Sequence, residues 1–183
     1  MKNLGVAIVT NGRCPELLGE IVDAWDRRNV EVSIRLNEDR GLFADDVRKA
    51  MSNLSTPYVL VGADDILPVG EWPGHWRQAP KTIQGVRLLD VEGRRYFDWA
   101  LWEDGRGLRG LQAYDSPENP MTYITGNAQV WSREARELVP WPDGGPRSCD
   151  DIRACRQAQA LGVSLLAPAM WPVLIHLERR YPA

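Results

Sequence analysis

The most constraining feature of this chain is the regular alternation of its first 70 residues. Leu4 to Thr10 is a short apolar run rich in Val and Ile, the pattern of a buried strand. Asn11, Gly12 and Arg13 break it, and Pro15 suits the first turn of a helix. Leu17, Leu18, Ile21, Val22 and Trp25 then recur at helical spacing. Val30, Val32, Ile34 and Leu36 alternate with polar residues, as in a half-exposed strand. Phe43, Val47, Ala50, Met51 and Leu54 form a second helical stripe, and Tyr58 to Val61 follows Pro57 as a run fit for a central strand. The order strand, helix, strand, helix, strand predicts an α/β fold. Its sheet should be mostly parallel, flanked by helices and built with right-handed crossovers. Ligands of such sheets bind beyond the carboxyl ends of the strands. Three polar segments fall there: Thr10 to Arg13, Asn37 to Arg40 and Ala63 to Asp65.

The remainder adds variety without adding a domain. The full length of 183 residues suffices for one core, which at this size buries about 70% of the unfolded surface. Residues 71 to 125 hold Trp72, Trp76, Trp99 and Trp102 with Arg87, Arg94, Arg95, Arg106 and Arg109. Val86 to Val91 and Arg95 to Trp102 read as two strands joined through Glu92-Gly93, and Gly105 to Gly110 as a mobile loop. Beyond residue 125 the pattern predicts a short strand at Ala128 to Trp131 and a helix start at Ser132. A Pro/Gly loop from Pro140 to Pro146 follows, then a helix from Asp150 to Leu161 and a last strand ending near His176. The expectation is a single domain: a ligand-binding half (1–70), a variable segment (71–125) and a carboxyl-terminal part (126–183).

Composition excludes several classes of partner. With 22 Lys+Arg against 25 Asp+Glu the formal charge is -3, so a globally basic nucleic-acid binder is not expected. Cys14, Cys149 and Cys155 are odd in number and have no CxxC spacing, which implies neither a disulfide framework nor a zinc site. The first apolar run is too short for a signal peptide, and Pro168 and Pro172 interrupt Val163 to Ile175. A cytoplasmic protein without a membrane partner is the expectation.

Four acids and one histidine stand out. Asp64 and Asp65 directly follow a buried strand, where carboxylates either hold a hard cation such as Mg²⁺ or Mn²⁺ or close a turn. His176 ends the last apolar strand, as a metal ligand or as a core-edge side chain with one hydrogen bond. Asp150 and Asp151 open a helix with the stripe Ala154, Cys155, Ala158 and Leu161. Asp151 falls on the inward side of that helix, as a general base or as a helix-terminal charge in a capping box with Ser148.

Together these segments resemble the glycosyltransferases of the GT-A fold, in particular the large family 2 group. VAIVTNGRCPELLGEIVDAW is similar to that family's first strand, nucleotide-contacting turn and helix. EVSIRLNEDRG is similar to its second strand with an acid near the nucleoside, and YVLVGADDILP to the strand bearing the metal-binding DXD motif. CDDIRACRQAQALG resembles the ED motif and its helix, and MWPVLIH the closing strand whose histidine can complete the metal site. The resemblance implies that Asp65 and His176 hold Mn²⁺ or Mg²⁺, with Asp64 in the middle position of the motif. Ala63 takes the first position, where the family often has an acid touching the ribose. Thr10, Asn11, Arg13, Glu38 and Asp39 would line the nucleoside pocket, and Arg48 would face the donor. Asp151 would be the catalytic base, preceded by the acid Asp150.

The function this implies is metal-dependent transfer of a sugar from a nucleotide sugar, a UDP-sugar on family frequency, to an acceptor hydroxyl with inversion. The variable segment would form the acceptor side through Trp99, Trp102, Arg106 and Arg109. The acceptor could be a protein, a glycan or a modified DNA of the phage type. The alternative is a non-catalytic module of the same fold that binds a nucleotide or a glycan, and the absence of an acid at Ala63 is the feature that favours it. A nucleotidyltransferase fits less well, because the turn TNGRCPE lacks its Gly-rich basic signature.

Overall fold

A computed structural model of the chain describes residues 2–12, 14–37, 43–72, 79–143, 150–169 and 172–177. The amino-terminal alternation appears as β1 (Leu4–Thr10), α1 (Pro15–Asp26), β2 (Glu31–Leu36), α2 (Phe43–Ser52) and β3 (Tyr58–Ala63). Strand β1 lies between β2 and β3 and pairs with both in parallel. Beyond β3 come β4 (Ile66–Val69), β5 (Thr82–Gly85), β6 (Arg87–Leu89), β7 (Ala100–Glu103), β8 (Gly107–Leu111) and β9 (Thr122–Tyr123). The chain closes with β10 (Gln129–Ser132), α3 (Arg133–Leu138), α4 (Asp150–Ala160), β11 (Ser164–Leu166) and β12 (Val173–His176). The central sheet has the order β11-β5-β10-β3-β1-β2, and two three-stranded sheets, β4-β12-β6 and β8-β7-β9, stand beside it.

Both faces of the central sheet are covered, which is why β1 is buried at every residue. Leu4, Val6 and Ile8 of β1 and Leu60 of β3 meet Ile21 and Trp25 of α1. The small sheet β4-β12-β6 extends that layer through Ile66, Leu88 and Leu174. Trp72 packs edge-on against Trp25, the ring centroids 5.0 Å apart. On the opposite face Ala7, Val9, Val59 and Val61 meet Val47 and Ala50 of α2 and Ala154, Cys155 and Ala158 of α4. Val130 and Trp131 of β10 divide between the two cores in the same way.

Several sequence expectations change. Strand β10 enters the sheet antiparallel, between β3 and β5. Val30 and Val32 pack on the α1 side, but Ile34 and Leu36 are 42% and 47% exposed. Strand β2 is the sheet's edge; Arg35 meets Asp46 of α2 on one face, and the face bearing Ile34 and Leu36 is exposed. Val86–Val91 is not one strand: Val86 lies between β5 and β6, which belong to different sheets, and donates its N–H to the Ala128 carbonyl (2.8 Å). Only the end of Arg95–Trp102 is extended, because Asp98 turns inward and Phe97 takes a positive φ of 38°. The segment read as a mobile loop at Gly105–Gly110 is the tight turn and first part of the β7–β8 hairpin. Trp76, Cys149 and the Gly144–Pro146 part of the predicted loop lie outside the described residues.

Candidate functional site

The carboxyl ends of β1 and β3 meet through a short hydrogen bond. Thr10 Oγ1 donates to Asp64 Oδ2 at 2.5 Å and accepts the Gly12 N–H at 3.0 Å. Asp64 is buried, so the middle acid of the pair is turned inward and shapes the β1–α1 turn. Gly12 has φ +72°, and a Cβ there would stand 2.9 Å from Leu36 Cδ1; the turn is tight on both counts. Asn11 is exposed beside it. Arg13, Glu38, Asp39 and His75 lie outside the described residues.

Asp65 points elsewhere. Strand β12 runs antiparallel to β4, and its last residue, His176, pairs with Ile66. This brings His176 Nε2 to 3.5 Å from Asp65 Oδ2. The Asp65 carbonyl also accepts the Leu177 N–H (2.8 Å), which fixes the strand end to the turn. Asp65 Oδ1 is buried without a hydrogen-bond partner among the described residues, a costly state for a carboxylate oxygen. Tyr96 stacks on the His176 ring at 4.6 Å and 21°. No group of three or more metal-ligating side chains occurs among the described residues. One carboxylate and one imidazole nevertheless form a donor pair suited to a divalent ion whose other ligands come from a substrate. The imidazole favours Mn²⁺ over Mg²⁺.

The second acidic pair lines a cleft of about 180 Å³, together with Val61 of β3 and residues Thr125, Gly126 and Asn127. Asp151 Oδ2 accepts the Gly126 N–H at 3.2 Å and Oδ1 accepts the Ile152 N–H at 2.8 Å. Burial raises the Asp151 carboxyl above its usual range. The two N–H groups oppose that rise, and the neighbouring Asp150 adds to it. Asp150 is buried and receives the Trp141 indole N–H at 3.4 Å.

The other sequence candidates are more dispersed. Arg48 is anchored to Asp45, to the Trp141 carbonyl (2.6 Å) and to Asp143 (2.8 Å). Ala63 ends β3 and is half-buried. Trp99 is 1% exposed and belongs to the core rather than to a surface. Trp102 is half-buried against Tyr123, while Arg106 and Arg109 extend from the hairpin toward Glu103. Sequence reasoning did not single out Tyr96, Gly126 or Trp141. Of these only Trp141 carries a signal, an aromatic residue between Pro140 and Pro142 just ahead of the acidic helix.

This architecture is the GT-A fold, the scaffold of a large class of glycosyltransferases. The catalytic domain of Drosophila beta-1,4-galactosyltransferase 7, solved with xylobiose, is similar over 99% of this chain and 73% of its own. The TM-score is 0.62 and the identity 14%. A mutant of that enzyme solved with manganese, UDP-Gal and xylobiose gives a TM-score of 0.60 at the same identity and coverage. A fragment of S. aureus TarS is similar over 97% of this chain and 60% of its own, with a TM-score of 0.56 and 12% identity. The sequence matches no protein-family model and no curated protein.

Proposed function

We propose that the protein is a metal-dependent, inverting glycosyltransferase that uses a nucleotide-sugar donor, with UDP-sugars the first class to test. The observation that carries this reading is the approach of His176 Nε2 to 3.5 Å from Asp65 Oδ2 at the carboxyl end of the sheet, with the buried Asp65 Oδ1 unpartnered among the described residues. It is supported by the manganese and UDP-Gal in a galactosyltransferase of similar fold. Asp65 and His176 would hold Mn²⁺, or less favourably Mg²⁺. A bound divalent cation offsets the negative charge that develops on a departing nucleoside diphosphate.

The remaining roles belong to the chain. Thr10, Asn11 and Gly12 form the turn at the nucleoside end, and Asp64 fixes its shape through Thr10. Asp151 takes the proton of the acceptor hydroxyl as that oxygen bonds to the anomeric carbon and the bond from carbon to diphosphate oxygen breaks. Its raised pKa makes it a better base than an exposed carboxylate, and the Gly126 N–H fixes one of its oxygens. Attack opposite the leaving group inverts the anomeric centre. The acceptor enters from the side of the β7–β8 hairpin, where Trp102, Arg106 and Arg109 lie; a protein, a glycan or a modified DNA are the classes to test. No helix among the described residues is long and apolar enough to cross a membrane, and a cytoplasmic location is proposed with this reading.

A thermal-shift panel of nucleotide sugars with Mn²⁺, Mg²⁺ or EDTA tests the proposal. A ligand at 100 times its Kd adds about 2.7 kcal/mol, or about 5–11 °C for a chain of this size. Stabilisation by a sugar nucleotide only with metal, lost in Asp65→Ala, is expected. No shift with any combination overturns it. The second reading, a binding module without turnover, rests on Ala63 in place of an acid. In that case donor binding persists and Asp151→Asn changes no product formation, because there is none.

A further inference from the structure

Behind the catalytic cleft, at the opposite end of the sheet, lies a larger cavity of about 550 Å³. Its position follows from its walls. Ser52, Leu54 and Ser55 come from the end of α2 and the approach to β3, and Arg133, Arg136 and Glu137 from α3, which leaves β10 beside Tyr58, the first residue of β3. The interior is apolar: Met51, Leu54, Val139 and Trp141 all line it and are each at most 6% exposed. The volume falls in the range of cavities that enclose a small organic ligand.

Its α3 wall carries two guanidiniums, Arg133 and Arg136, and one carboxylate, Glu137. Arg133 and Arg136 are one turn apart on α3, where like charges repel. Arg133 donates to the Ser55 carbonyl (2.5 Å), and Arg136 to the carbonyls of Met51 (3.1 Å) and Thr56 (2.8 Å). Neither makes an ion pair among the described residues, whereas Arg48 on the same rim is paired with Asp45 and Asp143. Arg136 Nε is buried with no acceptor among the described residues. Burial lowers the Arg136 pKa, the charge of Arg133 adds to that, and Glu137 and Glu134 offset part of it. Two guanidiniums held by neutral carbonyls at the mouth of an apolar cavity are complementary to an anionic head on an apolar body.

We infer that this cavity is a second ligand site, for an amphiphilic organic anion whose carboxylate or phosphate head meets Arg133 and Arg136 and whose apolar part lies on Met51, Leu54, Val139 and Trp141. The site is independent of sugar transfer. Trp141 is nonetheless a wall common to both cavities, because its indole also donates to Asp150 in the catalytic cleft.

The probe is dodecyl phosphate below its micellar concentration, titrated calorimetrically into the full chain. Dodecanol and inorganic phosphate serve as the body-only and head-only controls. One molecule per chain is expected, with both controls at least tenfold weaker. Arg133→Gln should weaken binding about tenfold or more, the loss of one charge-assisted contact. Ser52→Trp, at an exposed position on the cavity wall, should abolish it while the free protein melts near the wild-type temperature. Dodecanol binding as well as dodecyl phosphate, or binding unmoved by either substitution, overturns the inference. The same titration with anionic phospholipid vesicles separates two sources of the chemistry. Vesicle binding lost in Ser52→Trp supports the site with a membrane lipid as ligand, and monomer binding without vesicle binding supports it with a free metabolite. Vesicle binding unchanged in Ser52→Trp, with no monomer binding, overturns it.

Discussion

Replacing Asp98 with alanine should be among the most damaging changes outside the proposed site. Its carboxylate is fully buried and satisfies three donors: Arg95 Nε at 2.7 Å, Tyr114 OH at 2.6 Å and the Leu88 N–H at 3.1 Å. Arg95 also lies over the Tyr114 ring, 4.0 Å from its centroid, and holds the carbonyls of Gln112 and Trp99. The burial and the hydrogen bond to Asp98 together push the Tyr114 hydroxyl up to about 12, so it remains a donor at any ordinary pH. Breaking a buried ion pair by removing one partner costs about 3–5 kcal/mol. For a chain of this length that lowers Tm by about 6–20 °C. Tyr114→Phe removes one donor to the same carboxylate and should cost about 2 kcal/mol, or about 4–8 °C. Thermal unfolding followed by circular dichroism reads both. An Asp98→Ala loss under about 1 kcal/mol, or a Tyr114→Phe loss equal to it, would refute the view that Asp98 organises this segment. Leu88, which donates its N–H to Asp98, accepts the Tyr96 N–H at its carbonyl (2.8 Å), and the Tyr96 ring stacks on His176.

Three further outcomes are expected. Burial raises the Asp151 pKa on folding, so its contribution to stability is full below the ordinary carboxyl value and is lost as pH rises through the folded one. Asp151→Asn should therefore raise Tm at pH 7–8 and give no gain near pH 3. Transfer should fall by about 10²–10⁴; an unchanged rate would remove Asp151 from the mechanism. Gly12→Ala places a side chain at φ +72° and against Leu36, and should cost about 1–2 kcal/mol in urea unfolding. Iodoacetamide should label Cys14 in the native protein and spare Cys155, whose thiol is buried and pushed up to about 12; peptide mapping reads this directly.

The parallel half of the fold was legible because its helices carry buried stripes at helical spacing and β1 and β3 are short continuous apolar runs. Ile21 and Trp25 on α1, and Val47 and Ala50 on α2, fall at the spacing that packing requires. Where the chain leaves that pattern, the signal weakens. Strands β5, β4 and β11 are three or four residues long, too short for a period to show. The split at Val86 depends on a hydrogen bond to Ala128, a partner distant in sequence. The site behaves likewise. Asp64 and Asp65 are adjacent in sequence, yet one turns inward to Thr10 and the other faces His176; a hydrogen bond and a strand pairing decide which. Trp99 read as a possible acceptor-side aromatic, and only the packing of the β7 region against the core shows it to be interior.

The late antiparallel strand has a consequence for how the chain can be made. Strand β3 is complete by residue 63, but the strand that covers its far side begins at residue 129. A nascent or truncated chain ending between them presents a free row of amides along Tyr58–Ala63, in its most apolar sheet. Such an edge invites pairing with other chains. The amino-terminal half holds most of the residues proposed for the donor side, but it should not survive as an excised fragment. Dividing the gene near residue 70 would yield inclusion bodies rather than a minimal binding domain, and a split version of this protein would need both pieces present during synthesis.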